Sequence, residues 1–115
     1  MTEHKFPKSD RVLKRDGFRR VYEQGRKVQS RLFTAFLIAN QAGNPRIGIT
    51  VTRKIGNSVE RNRARRLLRE AFRKNKWLAQ TGVDIVINVK RALTEAGYRE
   101  VEGELVALLK RAGEK

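Results

Sequence analysis

Between residues 53 and 76 the chain gathers ten cations: Arg53, Lys54, Arg61, Arg63, Arg65, Arg66, Arg69, Arg73, Lys74 and Lys76. Only Glu60 and Glu70 oppose them, leaving a net +8 in about a fifth of the sequence. Seven of the ten cations are arginines, and the guanidinium is a flat fork of donors that meets a phosphate through two bonds at once. Ordinary surface helices interleave acids and bases four residues apart for a small gain, whereas like charges at that spacing repel by a few tenths of a kcal/mol. A row of phosphates would turn that repulsion into attraction. The whole chain repeats the message: 27 Lys and Arg against 12 Asp and Glu in 115 residues, a net +15 and an isoelectric point near 11.3. Such self-repulsion calls for a polyanion, whether RNA, DNA or an anionic membrane.

The remaining chemistry-bearing residues exclude several classes. There is no cysteine, hence no disulfide and no thiolate metal site. His4 is the single histidine, too few for a histidine-based metal centre or a catalytic triad. The acids are scattered: Glu60 and Glu70 read as a helix cap and a helix partner, and Asp84 sits on a strand with no visible companion. A free-standing metal-dependent nuclease needs convergent carboxylates, and a DNA regulator of the usual kind needs a helix-turn-helix and a dimer; neither pattern is present. A structural RNA-binding protein of ribosomal type shares the size and charge and is the main alternative. No apolar run is long enough to span a membrane and the N-terminus lacks a signal peptide's apolar core, so a cytoplasmic protein with no membrane partner is expected.

These residues need elements to hold them. The length fits one domain over 1–115, with 1–8 as a flexible lead-in and Ser9 and Asp10 capping a turn that carries Val12 and Leu13. Phe18, Val21 and Tyr22 share one face of a short helix, with Gly25 at its stop. Residues 31–40 alternate as a strand, with Phe33, Ala35, Leu37 and Ala39 on one face and Leu32, Thr34, Phe36 and Ile38 on the other. Residues 46–52 form a second strand, pointing Ile47, Ile49 and Val51 to a core and Arg46, Gly48, Thr50 and Thr52 away from it. The short turn at 41–45 suggests that these two strands pair antiparallel. Residues 27–29 read as a brief edge strand.

A long helix is expected over 58–76, opened by Asn57 and Glu60 in a capping-box pattern. Its 100° periodicity puts Ala64, Leu67, Leu68, Ala71 and Phe72 towards the sheet. Asn62, Arg65, Arg66, Arg69, Arg73 and Lys76 face outward, with Arg61 and Arg63 on the flanks. A strand at 83–89 and a helix at 98–112, with Val101, Leu105, Leu108, Leu109 and Ala112 buried and Gly113 beyond, complete the order α-β-β-α-β-α. The class is an α/β (α+β) two-layer sandwich of one sheet with helices against it.

The run Lys54-Ile-Gly-Asn-Ser-Val-Glu-Arg-Asn-Arg-Ala-Arg-Arg-Leu-Leu-Arg-Glu-Ala-Phe72, centred on Arg61-Asn62-Arg63, resembles the signature of the bacterial ribonuclease P protein family. The resemblance extends over Leu13–Gly25 and the three strands. It implies a central sheet with a left-handed β-α-β crossover, a fold shared with a ribosomal protein domain. It also implies a non-catalytic protein subunit without an obligate protein partner. The subunit would join a catalytic RNA that removes the 5′ leader of precursor tRNA, using Mg²⁺ bound mainly by the RNA and the substrate. By matching position, Phe18, Tyr22, Phe36, Thr50 and Thr52 would bind the single-stranded leader. Arg53, Lys54, Arg61, Asn62, Arg63, Arg65, Arg66, Arg69 and Arg73 would face RNA.

Overall fold

Four strands and four helices follow one another along the chain in a computed structural model, which describes residues 15–79 and 82–112. They are α1 (Arg15–Gln24), β1 (Arg26–Gln29), β2 (Phe33–Ala39), β3 (Arg46–Thr50), α2 (Ser58–Asn75), β4 (Val83–Val89), the single turn α3 (Arg91–Thr94) and α4 (Tyr98–Ala112). Short 3₁₀ turns at Arg53–Ile55 and Lys76–Ala79 bracket α2. The expected elements are therefore present. The lead-in at 1–8, the Ser9 and Asp10 turn and Gly113 lie outside the described residues.

The sheet order is β1-β2-β4-β3, and this corrects one expectation. β2 and β3 do not pair with each other. β4 lies between them, antiparallel to β2 and parallel to β3. The reason is burial: six of the seven β4 residues are buried, five of them apolar, as befits a strand covered on both faces. β3, with Arg46 and Gly48, takes the edge. Parallel neighbours cannot be joined by a tight turn, so β3 must reach β4 through a crossover, which α2 supplies.

One face of the sheet carries the main core. Phe33, Ala35 and Leu37 of β2, Ile47 of β3 and Ile85, Ile87 and Val89 of β4 pack with Ala64, Leu68, Ala71 and Phe72 of α2 and with Val101, Leu105, Leu108 and Leu109 of α4. Leu32, expected on the opposite face, lies just before β2 and joins this core. α2 begins as its sequence indicates: Asn57 Oδ1 accepts from the Glu60 amide at 2.8 Å, and Glu60 Oε1 accepts from the Asn57 amide at 2.9 Å. Polar contacts tie α4 to its surroundings: Ser30 donates to Glu104 at 2.7 Å, Arg31 pairs with Glu100, and Asn75 donates to Glu102 at 2.8 Å.

The opposite face is partly covered by α1, which adds a third layer there. Val21 and Val86 are fully buried between them. The Phe18 ring lies over Gly48 so closely that a Cβ there would sit 2.6 Å from the ring. Gly48 is thus a close-approach glycine, and α1 reaches the sheet because that position has no side chain. A valine at 48 must displace Phe18 and loosen α1. Gly48→Val should cost about 1–3 kcal/mol of stability, read as a lowered urea midpoint with an unchanged slope.

Candidate RNA interface

The α1 face of the sheet is organised in rows set by strand register. The first row is Ile38, Asp84 and Arg46; the second is Lys27, Phe36, Val86 and Gly48; the third is Gln29, Thr34, Asn88 and Thr50. Each row has its own chemistry: an ionic one, an apolar one, and one polar across all four strands.

The ionic row anchors the helix that overhangs the others. Asp84 is 1% exposed. It takes a forked pair of bonds from Arg46 at 2.7 and 2.9 Å, another from Asn40 at 2.8 Å, and an ion pair with Arg20 of α1 at 3.5 Å. Arg20 also donates to the Ala39 carbonyl at 2.9 Å. The bonds to Asp84 outweigh desolvation and raise the Arg46 guanidinium above its ordinary value. On its strand Asp84 has no visible companion in the sequence; the register and the α1 overhang provide three. Its ligands are all cationic or amide donors, so this carboxylate is a structural anchor.

Along α1, Phe18 stands over the apolar row and Tyr22 over the polar one. Tyr22 meets Phe36 edge to face, with centroids 5.1 Å apart and planes at 81°. Its hydroxyl donates to Asn88 Oδ1 at 2.7 Å and lies 3.3 Å from the Thr50 hydroxyl, which can donate to it in turn. The polar row continues to the sheet edge: Thr34 donates to Gln29 at 2.9 Å, and Lys90 donates to Gln29 at 3.1 Å and to the Ser30 carbonyl at 2.7 Å. Tyr22 is 37% exposed and Phe36 half-buried. The structure thus gathers Phe18, Tyr22, Phe36 and Thr50 on one face. Thr52 lies just beyond β3, exposed, with its carbonyl bonded to the Ile55 amide at 3.0 Å. Asn88, Gln29 and Lys90 were not singled out from the sequence. The polar Asn88 in a largely apolar strand, on the same face as Val86 and Asp84, was the available signal.

The cations sort into two groups by what they hold. Arg63 donates to the carbonyls of Thr94 at 3.2 Å and Ala96 at 2.9 Å, pinning the turn before α4. Arg61 donates to the Gly56 carbonyl at 2.7 Å, steadying the start of α2. Arg73 donates to Glu70 at 2.8 Å. Arg53, Lys54, Asn62, Arg66 and Arg69 are exposed; Arg65 is half-buried and donates to Asn62 at 3.2 Å. Among the described residues no three His, Cys, Asp or Glu side chains converge as a metal cluster, and no helix is long and apolar enough to cross a membrane.

This is a small basic α+β domain with an aromatic and polar sheet face on one side and an arginine-bearing helix on the other. A family model described as Ribonuclease P matches residues 6–113. A ribonuclease P protein component of Desulforapulum autotrophicum is 37% identical over 111 residues, covering 96% of this chain and 95% of the relative. One from Syntrophus aciditrophicus is 42% identical over 102 residues, covering 89% and 86%. The ribonuclease P protein structure from Thermotoga maritima superposes with a TM-score of 0.80 at 33% identity, covering 88% of this chain and 96% of the other. The Staphylococcus aureus protein gives 0.79 at 30% identity, covering 90% and 94%. The chain belongs to the ribonuclease P protein family and is the protein component of that ribonucleoprotein endoribonuclease.

The two groups of cations should separate in solution. Arg63→Ala removes charged donors from two backbone carbonyls and should lower stability by about 1.5–3 kcal/mol. Arg66→Ala, on the exposed side, should stay within about 0.5 kcal/mol of the parent. Paired thermal melts check both.

Proposed function

We propose that this chain binds the catalytic RNA of ribonuclease P through α2 and the single-stranded 5′ leader of precursor tRNA through the α1 face of the sheet. The RNA carries out the Mg²⁺-dependent hydrolysis. The observation that carries the reading is the polar row Gln29, Thr34, Asn88 and Thr50, bordered by Tyr22 and Phe36. An unpaired strand needs π-faces to stack its bases and donors and acceptors that tolerate any sequence, and that border combines both. Phe36, Tyr22 and Phe18 supply the aromatic surface. Thr50 and Thr52 line the way from the sheet to Arg53 and Lys54, which would take the adjoining phosphates. Arg61, Asn62, Arg63, Arg65, Arg66, Arg69 and Arg73 belong to the helix that meets RNA. Of these, Arg61, Arg63 and Arg73 act first by shaping the protein surface, given their internal bonds.

Two carboxylates beside these surfaces, among the described residues, are already engaged. Asp84 is saturated by Arg46, Asn40 and Arg20, and Glu60 is occupied in its cap. We therefore assign the metal to the RNA and the substrate. The protein's contribution is to neutralise phosphate charge near the cleavage site and to hold the leader in line. The cytoplasm, where precursor tRNA is made, is the compartment that fits this role.

Two measurements test the assignment. Phe36→Ala should weaken precursor tRNA binding by the reconstituted holoenzyme by about 1–3 kcal/mol. It should leave mature tRNA binding and the protein's melt nearly unchanged. Equal losses for both tRNAs would place Phe36 in the fold alone. RNA affinity should fall with salt along a log–log slope on the order of −4 to −5, from about six phosphate contacts. Arg66→Ala and Arg69→Ala should each flatten it by roughly 0.7–0.9. A slope near zero would remove α2 from the RNA interface.

A further inference from the structure

On the far side of the sheet from the leader cleft, α2 and α4 leave a groove of about 670 Å³. Its walls bring three chemistries together. Arg65, Arg69 and Arg73 recur every four residues along α2, rising about 6 Å from one to the next, and line the groove. Leu67 and Tyr98, both half-buried, form an apolar wall. Glu70 lies among the arginines as the one acid in the lining.

That acid is the informative residue. A surface meant only for phosphates gains nothing from a carboxylate. Arg73, at 2.8 Å, and Lys74, at 3.5 Å, both reach Oε2 of Glu70. Both contacts fall on one carboxylate oxygen, and each oxygen of a carboxylate can accept more than one bond. The hydrogen bond from Arg73 outweighs desolvation and holds the Glu70 carboxyl below its ordinary range, so it is an ionised acceptor at neutral pH. Cations for a phosphate, an apolar wall for a ring and an anionic acceptor for ring N–H groups are together the complement of one nucleotide.

We propose that this groove receives a single unpaired guanine nucleotide of the catalytic RNA. Glu70 accepts from the base's N1–H and N2–H, Leu67 and Tyr98 flank the ring, and Arg65 and Arg69 take the phosphate. Guanine is the base that offers two adjacent donors to a carboxylate. Adenine and cytosine present a ring acceptor beside their amino group, and uracil flanks its one N–H with carbonyls; each sets a lone pair against Glu70. The inference rests on the reading that α2 faces RNA and adds to it a base-specific contact.

The test is a two-dimensional NMR titration of the full chain with guanosine 5′-monophosphate, adenosine 5′-monophosphate and inorganic phosphate. Guanosine monophosphate should shift the amides of Leu67 to Arg73 and of Tyr98, and bind at least about fivefold tighter than either of the other two. Glu70→Gln, with its fold checked by its melt, gives opposite signs for the alternatives. If the carboxylate reads guanine, the variant weakens guanosine monophosphate and leaves phosphate unchanged or tighter. If Glu70 is only a helix ion-pair partner, removing its charge strengthens both, and the proposal falls. It also falls if phosphate alone matches guanosine monophosphate. The Glu70→Gln protein should keep the parent's salt slope with the catalytic RNA while losing affinity. A slope that Arg66→Ala and Arg69→Ala leave untouched would instead refute the wider assignment of α2 to RNA.

Discussion

A buried carboxylate in a chain of net +15 sets the geometry of the sheet face that α1 covers. Asp84 joins the central strand to the edge strand through Arg46, to the β2–β3 turn through Asn40 and to α1 through Arg20. A lone buried anion would be costly, and its partners relieve that cost only by standing where they do. Arg20 then fixes how α1 lies across the sheet, which in turn sets Tyr22 against Phe36 and over Asn88. Phe36 lies one row and the polar row two rows away from Asp84, yet their spacing follows from it. Packing alone would hold α1 weakly, because Val21 and Phe18 are the apolar anchors it presents to this face.

The sheet separates two electrostatic tasks. On the α1 side, side chains satisfy one another through short neutral bonds, Tyr22 to Asn88 and Thr34 to Gln29 among them, so the face is ordered before any strand arrives. On the α2 side, exposed cations stand close together without enough acids to balance them, so they repel one another. The first arrangement favours tolerance of sequence, because hydroxyls and amides can act as donor or acceptor. The second favours affinity that depends on salt. Arg63 belongs to the α2 side by position but not by contact, since its guanidinium is spent on the Thr94 and Ala96 carbonyls.

Local patterns were legible in the sequence, and long-range ones were not. Asn57 and Glu60 announce the start of α2, and the spacing of Ala64, Leu68, Ala71 and Phe72 announces its buried side, because both signals lie within a few turns of helix. The alternation at 46–50 likewise marks the face of each β3 residue. A short turn between β2 and β3 resembles a hairpin and hides the strand order. The decisive fact, that β4 is buried along almost its whole length and must be central, lies more than thirty residues away. Asn88 and Asp84 were underrated for the same reason: their partners Tyr22, Arg20 and Arg46 are remote in sequence. The family motif pointed to the aromatic residues of the cleft, but no spacing rule could show that Arg63 turns inward.

The position of β4 also bears on how the chain folds as it leaves the ribosome. β1, β2, β3 and α2 all emerge before the strand that joins them, and β2 and β3 share no ladder of their own. Until residues 83–89 arrive, the growing chain has a hairpin, an unattached edge strand and a strongly cationic helix with its apolar side uncovered, since α4 comes last. Sheet closure is therefore a late, all-at-once event governed by contacts distant in sequence, and such contacts form slowly.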